Sequence, residues 1–169
     1  MMMKKMMYAV LTAVFVMAAT AQAGSAQPAA PATPTGEQNK MILEKMSPFG
    51  HDETVKKITD ATRAGGWVVS GVKQLDKSIA KNGGPKVLPV TLVEICNAEH
   101  AGKILLDDSS RWASVMMPCT ISVYDKSDGK TYVGFMNAPL IGTMFGGLVG
   151  EVMGGPVADG QTKILGFLK

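Results

Sequence analysis

The chain of 169 residues has only two cysteines, Cys96 and Cys119, and only two histidines, His51 and His100. The cysteines are too far apart to form a CxxC pair, which removes a thioredoxin-like oxidoreductase reading. The glycine-rich stretch Gly142 to Gly150 lacks a Gly-Lys-Ser/Thr ending and GxGxxG spacing, so it is no phosphate loop or dinucleotide fingerprint. There is no dense basic stripe, which excludes a nucleic-acid footprint. No apolar run reaches the ~20 residues that a membrane-crossing helix needs. No local pattern suggests a Ser-His-Asp arrangement and no catalytic motif is complete, so the expectation is a protein that is not an enzyme.

What is present begins with an export signal. Lys4 and Lys5 form a basic start, Tyr8 to Ala19 is apolar, and Ala21-Gln22-Ala23 supplies small residues for cleavage. Residues 1–23 therefore read as a signal peptide, and the mature chain as periplasmic or secreted. No cysteine follows the cleavage site, which argues against a lipid anchor. Losing Lys4 and Lys5 takes the formal charge from +3 to +1, so the basic balance of the precursor says little about partners. Residues 24–38 are rich in Ala, Pro, Ser, Gln and Thr without an apolar period, the composition of a flexible linker. Residues 39–169 have the size of one domain.

Within that domain the expected order is α+β. Met41 to Met46 reads as a strand stopped by Ser47-Pro48. Asp52 is expected to cap a helix running to Ala64, with Val55, Ile58, Ala61 and Thr62 at helical spacing and Gly65-Gly66 ending it. Trp67 to Val72 is a second strand, and Leu75 to Ala80 a short helix or turn. Val87 to Ile95 is an apolar, central strand, and Asn97 caps a helix from Ala98 to Leu106. A second helical piece covers Asp107 to Val115. Thr120 to Tyr124 and Thr131 to Met136 form a hairpin around Asp128-Gly129. Leu140 to Met153 has helical apolar spacing, and a closing helix is expected near Gln161 to Leu168. Together these predict an antiparallel sheet covered on one face by helices.

The cysteines leave three readings open: a disulfide between Cys96 and Cys119, two separate buried thiols, or functional thiols. A disulfide closing this loop would contribute about 3 kcal/mol in the chain-entropy model, provided the Cα atoms come within about 7 Å. Cys96 is expected at a strand end just before a helix start, where the dipole favours a thiolate, with His100 one turn later. Cys119 follows Pro118 at the start of a strand. Cys96, Cys119, His100 and Met116 or Met117 together offer thiolate, imidazole and thioether donors, which suit copper or haem iron. Met136 and Met144 join such a set only if the fold brings them near. Methionine is also a common filler of irregular cores, and Met117 and Met136 read that way. A zinc site is weaker, because Cys96, Cys119 and His100 give three ligands at unconvincing spacing.

Two other titratable residues stand out. His51, in Phe49-Gly50-His51, reads as a solvent-facing turn residue. Glu94 lies within an apolar strand, and alternation places it on the solvent face rather than in the core. The glycines of Gly142 to Gly150 read as permitting close helix packing, on the sheet or on a second subunit. The sharper reading is an apolar surface for a partner, a lipid or a hydrophobic ligand.

The strings Leu92-Val93-Glu94-Ile95-Cys96-Asn97, Met117-Pro118-Cys119 and Asp128-Gly129-Lys130-Thr131-Tyr132-Val133, with Met136-Asn137 and Glu151-Val152-Met153, carry a resemblance. In that order they resemble the domain-of-unknown-function 302 family over about residues 46–153. The resemblance implies an α+β fold similar to the TATA-binding-protein-like group, a curved antiparallel sheet carrying helices on one face. It implies no activity, and likeness in fold to a DNA binder is no ground for DNA binding. The functional expectation is an exported binding or accessory domain for a small ligand or protein partner. One alternative is a redox or soft-metal protein using Cys96 and Cys119 with copper or haem. Another is a module that forms a homodimer through the glycine-rich helix.

Overall fold

Alternating side chains define the inner face of one five-stranded sheet. The computed structural model describes residues 40–168, and the expected signal, linker and first domain residue lie outside them. The strands are β1 (Ile42–Met46), β2 (Val68–Gln74), β3 (Val90–Cys96), β4 (Cys119–Asp125) and β5 (Thr131–Met136). They lie in the order β1-β5-β4-β3-β2, every neighbour antiparallel. Thr91, Val93 and Ile95 of β3 are buried, as are Cys119, Ile121 and Val123 of β4 and Thr131, Val133 and Phe135 of β5. The residues between them are less buried, so one face is core and the other open. Val93 lies opposite Ile121 and Val123 opposite Val133, which stacks the apolar side chains in rows. Each fully buried Val or Ile stabilises the fold by about 1.5–3 kcal/mol. A slip of one residue would turn the whole row outward.

The helices are α1 (His51–Ala64), α2 (Leu75–Lys81), α3 (Ala98–Leu105), α4 (Ala138–Phe145), α5 (Gly147–Val152) and α6 (Ala158–Ile164). A 3-10 turn, Arg111–Met116, leads into β4, and a π-helical turn, Met153–Val157, joins α5 to α6. The α+β architecture, with helices packed against an antiparallel sheet, is the one the sequence predicts. Among the described residues no helix is long and apolar enough to cross a membrane.

Helix α1 differs in detail from expectation. It starts one residue earlier, Gly50 is its N-cap, and Asp52 lies inside the first turn without capping. Its buried stripe is Thr54, Ile58 and Thr62, with Thr59 beside it. Threonine hydroxyls can face the core here because they bond back to the helix. Thr54 Oγ1 donates to the Gly50 carbonyl at 2.8 Å and Thr62 Oγ1 to Ile58 at 2.7 Å. Asn97 does cap α3 as expected, its Oδ1 accepting from the backbone N–H groups of Glu99 and His100 at 3.1 Å.

The expected helix over 140–153 is broken in two. Gly146 and Gly147 take φ of +61° and +52°, a left-handed pair that turns the chain between α4 and α5. The break folds the segment back on itself. A Cβ on Gly142 would lie 2.6 Å from the Gly154 nitrogen and 2.8 Å from the Gly150 carbonyl oxygen. The close packing expected of these glycines is therefore helix against helix within the chain. Phe145, at the end of α4, packs on Trp112 with ring centres 5.0 Å apart, and both remain partly exposed.

Candidate functional site

The antiparallel register brings the two cysteines to the same end of the sheet. Ile95 lies opposite Cys119 on β3 and β4, and Val68 opposite Cys96 on β2 and β3. Alternation turns Cys119 inward beside Ile95, whereas Cys96, the last residue of β3, is only half-buried. Both thiols are free, so the disulfide among the sequence expectations is not formed. The two nonetheless border one space, Cys119 buried and Cys96 partly exposed at the end of its strand.

Below Cys119 lies a partly open cavity of about 30 Å³, bordered by α3, the 3-10 turn, α5 and the π-helical turn. Its wall includes Cys96, Cys119, His100, Met116 and Met117, the soft donors expected from sequence, together with Trp67. Three separate segments supply them. Cys96 ends β3, His100 is in the first turn of α3, and Met116, Met117 and Cys119 flank Pro118. The Met117–Pro118 peptide is cis. Ala113, Ile104 and Val152 complete an apolar lining. Met136 and Met144 are not part of the wall, whereas Met153 is.

The cavity governs the chemistry of Cys119. Burial pushes its thiol up from 9.0 to about 11, with the neighbouring Cys96 thiol adding in the same direction. It is a protonated thiol at neutral pH, and so no nucleophile of the activated kind. The volume fits one or two waters or a single ion. A porphyrin is many times larger, so the haem expectation does not fit this cavity. Among the described residues no three His, Cys, Asp or Glu side chains gather closely enough to hold a metal ion. That leaves any metal here to one or two thiolates with thioether help.

A second hollow, of about 280 Å³, shares Trp67, Asn97 and His100 with the inner cavity. Its remaining wall comes from Gly65 and from α6 and the turn before it, with Asp159 and Lys163. Trp67 and His100 meet edge to face, ring centres 5.8 Å apart, and stand between the two spaces. A Cβ on Gly160 would overlap the indole, so only glycine lets α6 lie against it. A third hollow, of about 320 Å³ beside β1, β5 and α6, has Lys45 as its one charged residue.

His51 is placed differently from expectation. It is not a solvent-facing turn residue: its side chain is 13% exposed. Its Nε2 lies 2.9 Å from Thr91 Oγ1, and its Nδ1 3.4 Å from an Asp125 carboxylate oxygen. The same Asp125 oxygen accepts from Thr131 Oγ1 at 2.8 Å. Sequence reasoning missed this group because its members sit on α1, β3, β4 and β5. The signal available was the run of polar residues at inward positions, Thr91 and Thr131 among them. Thr91 is only 4% exposed, so the hydroxyl of this Asp-His-Thr series is not open to a substrate. Glu94 lies on the open face as alternation predicts, paired with Lys73 and covering Gly71.

Fold and site together define an α+β domain with one helix-covered sheet face and a small apolar cavity at the end of β3 and β4. The chain belongs to the family described as Domain of unknown function DUF302, which matches residues 43–152. A crystal structure of an uncharacterized conserved DUF302 protein from Bacillus stearothermophilus superposes with a TM-score of 0.66 at 18% identity. The match covers 76% of this chain and 98% of that one, and at this identity it speaks to the fold. No curated protein matches the chain.

Proposed function

We propose that this protein is an exported, non-catalytic binding module whose ligand seats at the cavity beneath Cys119. The observation that carries the reading is convergence. Residues from the end of β3, the start of α3 and the approach to β4 line one apolar space. Thiol, thioether and imidazole groups collect there, while acids and hydroxyls do not, which favours a small soft or apolar guest over an anion. The high pKa of Cys119 speaks against a nucleophile, and the burial of Thr91 against a hydrolytic His51. Export is supported by the basic, apolar and small-residue order of residues 1–23.

Thermal melting of the purified chain against small soft cations and small apolar molecules tests the reading. Ala113, fully buried in the cavity wall, provides the control. A ligand that raises the midpoint of the natural chain should lose its effect in Ala113→Val, whatever the variant's own midpoint. Ligand shifts that survive filling the cavity would put the binding place elsewhere.

A further inference from the structure

We infer that the ligand is one monovalent copper ion, held inside the cavity by Cys119 as its only thiolate, with methionine thioether completing the shell. The inference rests on the proposed binding site and names what occupies it. Three observations carry it. The first is size: about 30 Å³ admits a single ion and excludes an organic cofactor. The second is donor type. The wall offers sulfur from Cys96, Cys119, Met116, Met117 and Met153 beside the His100 imidazole, and no carboxylate lines it. Sulfur donors select monovalent copper over magnesium, calcium or manganese. A filled-shell monovalent ion with little geometric demand is also satisfied by two or three donors. That matters because no three classical ligands gather among the described residues.

The third observation is charge. An apolar cavity disfavours any uncompensated charge. One copper(I) with one thiolate is neutral, and thioether donors keep it so. Two thiolates would leave a net negative charge in the same space. Burial distinguishes the cysteines in the matching way, Cys119 buried and Cys96 partly exposed at the cavity's border. Cys119 is therefore the resident ligand. Cys96, bordering the cavity, serves as a transfer ligand that receives the ion outside and passes it in. Binding is balanced as copper(I) plus one protein thiol giving a copper–sulfur bond and one released proton, with no change of oxidation state.

Anaerobic titration of the purified full-length chain with copper(I), in competition with the chromophoric chelator bathocuproine disulfonate, decides the matter. One equivalent should be retained, and a weakly buffered titration should release about one proton per ion. Cys119→Ser should weaken retention by about 100-fold or more, and the triple change Met116→Leu, Met117→Leu and Met153→Leu by about 10-fold. Cys96→Ser should change the equilibrium by less than about 3-fold while slowing uptake. Far-ultraviolet circular dichroism establishes that each variant is folded, and Cys119→Ala serves if the serine variant is not. Failure of the natural chain to retain copper would overturn the inference. So would retention by Cys119→Ser equal to the natural chain, or release of two protons. If copper fails while another ligand raises the melting midpoint in an Ala113-dependent way, the copper inference falls and the binding module stands. If nothing binds in that way, both fall.

Discussion

His51 Nε2 stands 2.9 Å from Thr91 Oγ1, tying the first turn of α1 to the middle of the sheet's inner face. The contact spans 40 residues of sequence and continues through Asp125 to Thr131 on β5. Thr91 and Thr131 are buried hydroxyls, and such groups are costly without partners. His51→Leu removes the imidazole and strands the buried Thr91 hydroxyl, whereas Asp125 keeps its hydrogen bond from Thr131. The variant should unfold about 1–3 kcal/mol more easily, measured by urea denaturation. Thr91→Val in the same background should recover part of the loss, because it removes the stranded group. A His51→Leu chain as stable as the natural one would mean the network contributes nothing.

The same network resembles a hydrolytic triad in composition, and the geometry separates the two. A nucleophile needs to be reached by substrate, and Thr91 is buried. The chain should therefore give no acyl-enzyme burst with p-nitrophenyl acetate. Thr91→Val should leave any slow background rate unchanged. A burst lost on that substitution would restore the enzymatic reading.

Cys119 makes a pH prediction whose sign follows from burial. Its pKa is raised on folding, from 9.0 to about 11. The folded state thus holds its proton more tightly than the unfolded chain. The contribution is fully present below pH 9 and is lost as the pH rises from about 9 to about 11. At 1.36 kcal/mol per unit the loss amounts to about 2–3 kcal/mol at most. Tyr124, raised to about 12 by burial and by Glu44, adds to the same trend at higher pH. The difference between the natural chain and Cys119→Ala isolates the thiol. That difference should fall across this window in urea melts taken at intervals of pH. Iodoacetamide should modify Cys119 of the folded chain about tenfold faster per pH unit up to about 11, since only the thiolate reacts.

Much of this architecture was legible from local signals. Period-two alternation marked β4 and β5, Asp128-Gly129 their turn, and Asn97 the start of α3. These are short-range rules, and each residue carries its own signal. Long-range relations were legible only as a list of candidates. The donors Cys96, His100, Met116 and Cys119 could be nominated because of their chemistry. That Cys96 and Cys119 come to one end of the sheet depends on the Ile95–Cys119 register, which no local pattern states. His51 was misread for the same reason. Its partners lie on three strands, and a histidine after Phe-Gly looks like any loop residue. The helix break at Gly146 and Gly147 was hidden because apolar spacing persists through it. Left-handed φ at two glycines leaves no mark on hydrophobic periodicity.

The glycines of that segment differ sharply in what they do, which gives a paired prediction. Gly142 faces the backbone of Gly154 and Gly150, and a Cβ there would sit inside contact distance of both. Backbone cannot move aside as a flexible side chain can. Gly142→Ala should cost about 3 kcal/mol or more, or prevent folding. A Cβ at Gly147 meets nothing within 4 Å, so only its φ of +52° resists substitution. Gly147→Ala should therefore cost about 1–2 kcal/mol. Equal costs would show that conformation, not the α4–α5 approach, sets the requirement. Light scattering on both variants and the natural chain should give one unchanged mass, because the close approach lies within the chain.

Gly160 tests the wall between the two hollows. A methyl group there overlaps the Trp67 ring, which is buried and braced on its other side by His100. Either α6 shifts outward or the indole turns, and both open the inner cavity toward Asp159 and Lys163. Overpacking of this kind costs about 1–3 kcal/mol. In a Trp112→Phe background Trp67 is the remaining tryptophan of the described residues, so its emission reports the move. Gly160→Ala should shift that emission to longer wavelength as water reaches the ring. Acrylamide quenching should rise with it. Bound copper(I) should be surrendered to the chelator faster than from the Trp112→Phe parent, with the equilibrium affinity changed less than the rate. A chain with unshifted emission and unchanged release would mean that Trp67 and His100 do not control access to Cys119.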